Sequence, residues 1–184
     1  LTPRVNGNYL VSVDIKNQEP TVLINWQNIE CLKDKLTSER GLYFEIFVDI
    51  FEKEPNELEL KELKTAWLAL NYGATKFGLK GMCSHIDGEA VYDYFNSIKE
   101  IRNYTGRAYG LSKAKCRTAF TYFGTKLKLD AKDVSSLKRQ HLDFPIQGTC
   151  SDILSMLVKR FRSYINTYGL KDVLSIYFTR HDEL

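Results

Sequence analysis

The chain has 184 residues, 43% of them hydrophobic and 12% aromatic, an ordinary globular composition that can bury one good core. A formal charge of +3 falls short of the strongly basic balance that by itself announces a nucleic-acid binder. No run approaches the roughly eighteen apolar residues of a membrane span, so no membrane partner is expected, and the N-terminus lacks the charged and apolar regions of a signal peptide.

In chain order, "NYLVSVD" (8–14) reads as a buried strand that ends on a carboxylate, Asp14. "PTVLINWQNIECL" (20–32) carries apolar residues at helical spacing behind Pro20, and a polar break is expected from Lys33 to Arg40. "GLYFEIFVDIF" (41–51) is apolar and helical. The sharpest helix start follows: Pro55 stops the preceding helix, Asn56 is a good N-cap, and Glu59 completes a capping-box spacing. In that helix Leu60, Leu63, Trp67 and Leu70 share one apolar sector. Lys61, Lys64, Leu68 and Tyr72 line a second face.

"EAVYDYFNSIKEIRNY" (89–104) predicts one long amphipathic helix, and "RTAFTYFGTKLKL" (117–129) two strands joined by a turn at Gly124. Residues 135–169 read as two helical pieces, interrupted at Pro145 to Gly148 and closed by Gly169. "DVLSIYFTRHD" (172–182) is a strand that delivers Asp182. Eight Lys/Arg against Asp130 and Asp133 concentrate the positive charge between Lys113 and Arg139. The cysteines at 31, 83, 116 and 150 are too dispersed for a zinc site and are expected to be buried thiols in a reducing compartment.

The chain closes on "TRHDEL". As an address this is an endoplasmic-reticulum retention tag, which requires import; as chemistry it supplies His181, Asp182 and Glu183 at a strand end. Asp14 and Asp182 as neighbours in one sheet would repel unless a cation lay between them, and magnesium, with its preference for hard oxygen ligands, is the expected one. Such a pair suits in-line phosphoryl transfer with two Mg²⁺ ions, and Lys64 is placed to neutralise a triphosphate.

Along almost its whole length the sequence resembles the palm and fingers of family A, DNA polymerase I-like, DNA polymerases. "VDIKNQEP" matches the first motif through Asp14 and Glu19, "KTAWLALNYGATKFGL" the second through Lys64, Tyr72-Gly73 and Phe77-Gly78-Leu79, and His181-Asp182-Glu183 the third. "RQHLDFPIQGTCSDI" matches the helix that reads the minor groove, and "FTYFGTK" the strand-turn before it. Four ordered segments make a far stronger signal than any one alone.

The resemblance implies an α+β right-hand fold: a small antiparallel palm sheet bearing Asp14 and Asp182, backed by helices, with a helical fingers subdomain and no thumb. It divides the chain into palm (1–50), fingers (51–110) and palm again (111–184). The implied activity is template-directed DNA synthesis on primer-template DNA with dNTP substrates. Asp14 and Asp182 would bind two Mg²⁺ ions with Glu183 as a supporting carboxylate, and Lys64 would contact the triphosphate. Glu19 and Tyr72 would exclude a ribose 2′-hydroxyl, with Lys61 and Leu68 also at the nucleotide. Arg139, Gln147, His181 and Thr121 would touch DNA.

Leu60, Leu68 and Asp143 depart from the family's usual Arg, Phe or Tyr, and Asn. The thumb and exonuclease are expected as flanking segments of a longer chain, since this one opens on Leu1 and has Met only at 82 and 156. Expected settings are the cytoplasm or nucleoid of a bacterial or virus-infected cell, or a mitochondrion, and not the endoplasmic reticulum. The alternatives from other classes are a non-catalytic primer-template-binding module on the same fold and a lumenal binding protein.

Overall fold

The computed structural model describes residues 14–174. In chain order these form α1 (Gln18–Trp26), α2 (Glu30–Leu36), α3 (Leu42–Phe51), α4 (Glu57–Asn71), α5 (Lys76–Met82), α6 (Gly88–Ser97), α7 (Lys99–Lys113), β1 (Thr118–Phe120), β2 (Lys126–Lys128) and α8 (Val134–Thr167).

Helix α4 starts where its capping box predicts. Asn56 Oδ1 accepts from the Glu59 N–H at 3.0 Å, and Glu59 Oε2 accepts from the Asn56 N–H at 2.8 Å, so two orphan donors are satisfied reciprocally. Its apolar sector buries Leu63, Ala66, Trp67 and Leu70, while Leu60 is half-buried against the same core. Trp67 meets Phe95 of α6 edge-on at 4.9 Å. The opposite face leaves Lys61 and Lys64 in solvent and Leu68 and Tyr72 half-buried.

Two expected helices are each divided. The segment 20–32 breaks at Asn28, whose φ of 54° is the left-handed region that Asn tolerates better than most residues, and fully buried Ile29 pins the corner. Lys33 then belongs to α2 rather than to a polar break, because its ammonium reaches Glu30 and Asn28, each at 2.7 Å. The segment 89–104 breaks at Ile98, extended at ψ 113° and buried. Just before it, Ser97 Oγ donates to the Tyr94 carbonyl and Asn96 Nδ2 to that of Tyr92, local bonds that compete with helix continuation.

The converse holds at α8, one helix of 34 residues with Pro145 inside it. Proline in a helix interior forfeits a hydrogen bond and costs about 3 kcal/mol or more, which is why an interruption is expected there. Packing outweighs that cost: Leu137, His141, Leu142, Pro145, Ile146, Thr149 and Cys150 are all buried. Tyr104 of α7 donates to the Leu142 carbonyl at 2.7 Å on one side, and the β1–β2 hairpin sits on the other. Gly169, at φ 66°, follows the helix end as expected.

The hairpin pairs antiparallel with Ala119 opposite Leu127, and its turn uses Gly124 at φ 86°. It lies so close to α8 that a Cβ on Gly148 would stand 2.8 Å from Thr121 Cγ2. This two-stranded sheet is the only one among the described residues, which are otherwise helical. The sheet expected to carry both carboxylates falls mostly outside them. Asp14 is a single bridge residue, and the expected last strand is a turn over 171–173, with 175–184 outside the described residues. Of the four cysteines expected in the interior only Cys150 is buried; Cys31 is exposed, and Cys83 and Cys116 are intermediate. No helix among the described residues is long and apolar enough to cross a membrane.

Candidate functional site

Five elements and the loop before one of them converge on an open cleft of about 1040 Å³, with Leu127 of β2 among the lining residues. Asn17 and the first turn of α1 form one wall, Tyr43 of α3 and Lys64 and Leu68 of α4 the next, and α8 the long side. The α8 contribution runs from Phe144 through Gln147, Ser151, Leu154 and Ser155 to Val158, Lys159 and Arg162. These recur at intervals of three and four residues, one helical face, and the stretch from Gln147 to Arg162 spans about 22 Å at 1.5 Å per residue. Gln18 Nε2 donates to the Cys150 carbonyl at 3.2 Å and fixes the start of α1 against α8.

Tyr72, the residue that ends α4, donates its hydroxyl to Oε2 of the cleft residue Glu19. Gly73, at φ 85°, lets the chain turn there with Leu142 and Arg139 of α8 alongside. Burial pushes the Tyr72 hydroxyl well above its ordinary pKa, the Glu19 carboxylate adds to this, and the Gln147 side chain partly offsets it. Tyr43 is raised by burial and by the same Glu19 charge. Both phenols are therefore neutral at neutral pH, and Tyr72 is the one that donates to Glu19.

Asp143, one turn before Gln147 on α8, belongs to the same group. Burial, and then the Glu19 charge, push its carboxyl up to about 6, and its Oδ1 is buried with no hydrogen-bond partner among the described residues. Because the folded-state value lies above the ordinary 3.8, the native state holds the proton more tightly, and stability falls as pH rises from about 4 to about 6, then levels off. Asp143→Asn is therefore expected to raise the melting temperature at pH 7–8, with the gain disappearing as pH drops towards 4. Thermal melts of both proteins across that range check this; an offset independent of pH would show that folding does not raise the pKa of the carboxyl.

The structure thus brings together Glu19, Tyr72, Lys64, Leu68 and Gln147 from three distant segments. Lys64 is exposed on the cleft wall and has no acidic partner among the described residues. Lys61 lies one turn earlier on α4, outside the cleft lining. Arg139 is exposed beside Gly73. Thr121 is not displayed to solvent: it is 4% exposed, and its hydroxyl donates to Asp152 Oδ2 at 2.6 Å. Asp14 is an exposed carboxylate three residues ahead of the cleft wall. His181, Asp182 and Glu183 lie outside the described residues. Tyr43 and the α8 face beyond Gln147 are cleft residues that the sequence reading passed over; for the latter, the three-and-four spacing continued through Pro145 was the available signal.

Among the described residues no group of three or more His, Cys, Asp or Glu could hold a metal ion. The chemistry of Asp14 still fits magnesium, which is commonly held by one or two protein carboxylates together with waters and substrate phosphates.

The chain is similar in fold to the POL domain of Pol1 from M. smegmatis, solved in complex with DNA primer-template and dNTP, with a TM-score of 0.79 and 19% identity over 94% of this chain and 32% of that one. It thus spans about a third of the length of the chain it matches. No curated protein matches it. The sequence pattern of DNA polymerase family A, in contrast, matches residues 1–184 from end to end, and the chain belongs to that family.

Proposed function

We propose that the chain is the palm-and-fingers catalytic core of a DNA-directed DNA polymerase, a nucleotidyltransferase that extends a primer 3′ end with deoxynucleotides. The observation that carries this is the meeting of Glu19, hydrogen-bonded by Tyr72, with Gln147 and with Lys64, which has no acidic partner among the described residues, in one open cleft.

In this reading the triphosphate lies along α4, where Lys64 places a positive charge beside oxygens on which negative charge builds during transfer. Tyr72, held by Glu19, closes the space next to the sugar, so a ribose 2′-hydroxyl has no room and the deoxy sugar fits. Leu68 gives the base a smaller apolar surface than an aromatic residue would. Gln147 and Arg139, two turns apart on α8, reach minor-groove acceptors shared by all base pairs, which checks duplex shape without reading sequence. Thr121 acts indirectly, by holding the hairpin to Asp152. Asp14 and Asp182 would hold two Mg²⁺ ions, which when bound supply activation of the attacking oxygen and stabilisation of the leaving group. Lys61 adds charge near the nucleotide, while Glu183 and His181 complete the site from the far strand.

Primer extension with four dNTPs and Mg²⁺ tests this against Asp14→Ala and Asp182→Ala, repeated with rNTPs. Extension that needs both carboxylates and rejects rNTPs is the expected result. Binding of primer-template without extension by the unaltered chain would instead favour a module that holds DNA and lacks catalysis.

A further inference from the structure

The hydrophobic hold on α4 is uneven along its length. Ala66, Trp67 and Leu70 are buried in the second half, but in the first half Leu58 is 56% exposed, Leu60 is half-buried, and Leu63 is the first apolar residue to be fully enclosed. Lys64 stands at that transition.

Glu62 supplies a polar attachment where the apolar one is thin. Its Oε1 accepts from Ser84 Oγ and from His85 Nδ1, each at 2.7 Å, and its Oε2 accepts from the backbone N–H groups of Ser84 at 3.0 Å and His85 at 2.9 Å. An ionised carboxylate only accepts, so His85 Nδ1 carries the proton in that contact. Donors from two consecutive residues thus gather on one charged group, the stronger kind of hydrogen bond.

The loop that grips Glu62 is itself anchored between α5 and α6. Asp87 caps α6 by accepting from the Glu89 and Ala90 N–H groups at 2.8 and 3.3 Å, and Lys76 of α5 reaches Asp93 of α6 at 2.9 Å. A Cβ on Gly88 would lie 2.8 Å from the Leu79 carbonyl oxygen, so the two helices meet backbone to backbone. At 100° per residue, Glu62 and Lys64 lie about 200° apart around α4. A tie at Glu62 therefore fixes the rotation of the helix about its axis, and with it the direction in which Lys64 enters the cleft on the other side.

We propose that Glu62 is a positioning residue for nucleotide transfer, acting through Lys64 by holding α4 against the loop of Ser84 and His85. The proposal rests on the reading that Lys64 meets the triphosphate in the cleft.

The test is a double-mutant cycle on single-turnover primer extension by the full chain over a series of dNTP concentrations. Glu62→Ala is expected to lower the transfer rate at saturating dNTP about tenfold or more, because a misplacement of about 1 Å can cost about 10²-fold. In the Lys64→Ala background the same substitution should cost less than about twofold, since the group it orients is gone. His85→Ala should reproduce part of the Glu62→Ala loss and add less than about twofold to it. Glu57→Ala removes the same charge from the exposed first turn of the same helix and should leave the rate within about twofold of the unaltered chain. Where Glu62→Ala does not fold, the cycle is run with Glu62→Gln, which keeps the shape and one acceptor oxygen.

A Glu62→Ala rate close to that of the unaltered chain would overturn the proposal. Equal losses with and without Lys64 would also overturn it, because a residue that only stabilises the fold acts independently of Lys64. So would a loss from Glu57→Ala as large as that from Glu62→Ala, by showing that net charge on α4 decides. Each of these results leaves the polymerase reading standing, whereas no extension by the unaltered chain removes that reading and the proposal with it.

Discussion

If the proposed function holds, Lys64→Ala is expected to slow primer extension by about 10²–10³-fold, the range found when one donor to developing negative charge is removed from a preorganised site. The reason is positional. Lys64 projects from a helix whose start is fixed by a capping box and whose apolar side is locked into the core, so its ammonium reaches the cleft without further ordering. No Asp or Glu among the described residues neutralises it, so in the proposed reading its charge is left for the triphosphate. On the other side of α4, Glu62 accepts from the Ser84 and His85 backbone N–H groups at 3.0 and 2.9 Å, and its carboxylate is brought down to about 2, chiefly by the His85 side chain. The helix is therefore held from both sides. Lys64→Arg should recover part of the loss, since it restores the charge with a different donor geometry. Lys61→Ala, one turn outside the cleft lining, should cost less than tenfold. Single-turnover rates at saturating dNTP check these values; an equal loss for Lys61→Ala and Lys64→Ala would mean that net charge near α4, and not the position of Lys64, is what matters.

Trp67→Ala is expected to cost about 3–5 kcal/mol of stability, a large share of the 5–15 kcal/mol that holds most domains folded. Trp67 is 1% exposed, lies between Leu63 and Leu70 on the buried side of α4, and packs on Phe95 at 4.9 Å and Tyr94 at 6.4 Å. Removing the indole empties the interface between α4 and α6 and loosens the helix that carries Lys64, Leu68 and Tyr72. Trp67→Phe keeps an aromatic ring against Phe95, and it removes an indole N–H that is buried without a hydrogen-bond partner among the described residues. That change should therefore cost no more than about 1.5 kcal/mol. Urea midpoints for the three proteins distinguish the cases, and equal shifts for Ala and Phe would show that the ring does not carry the packing.

How much of this was legible in the sequence depends on how local the cause is. The start of α4 was readable because Asn56 and Glu59 satisfy each other within one turn, and the hairpin because Gly124 sits between two short β-prone runs. The division at Asn28 was missed because a left-handed Asn leaves no mark in hydrophobic periodicity. The continuity of α8 was missed for the opposite reason: Pro145 is a strong local signal that burial on two sides overrides, and with the interruption went the cleft face from Ser151 to Arg162.

The site shows the same division. Family resemblance placed Glu19 and Tyr72 together, and they are in contact. It also suggested Thr121 as a DNA contact, whereas the fate of its hydroxyl is decided by Asp152, a residue thirty-one positions later that only the packed fold brings within reach. Asp143 was visible as a departure from the family, but its raised pKa follows from burial near Glu19, which no spacing rule reports.

The most direct measurement is photo-crosslinking of an azido-dATP to the chain in the presence of primer-template and Mg²⁺, with the labelled peptides mapped by mass spectrometry. Label confined to residues 57–73 and 144–162, and lost on addition of unlabelled dATP, is the predicted result. Label spread over other elements, or unaffected by competing dATP, would contradict the placement of the nucleotide between α4 and α8.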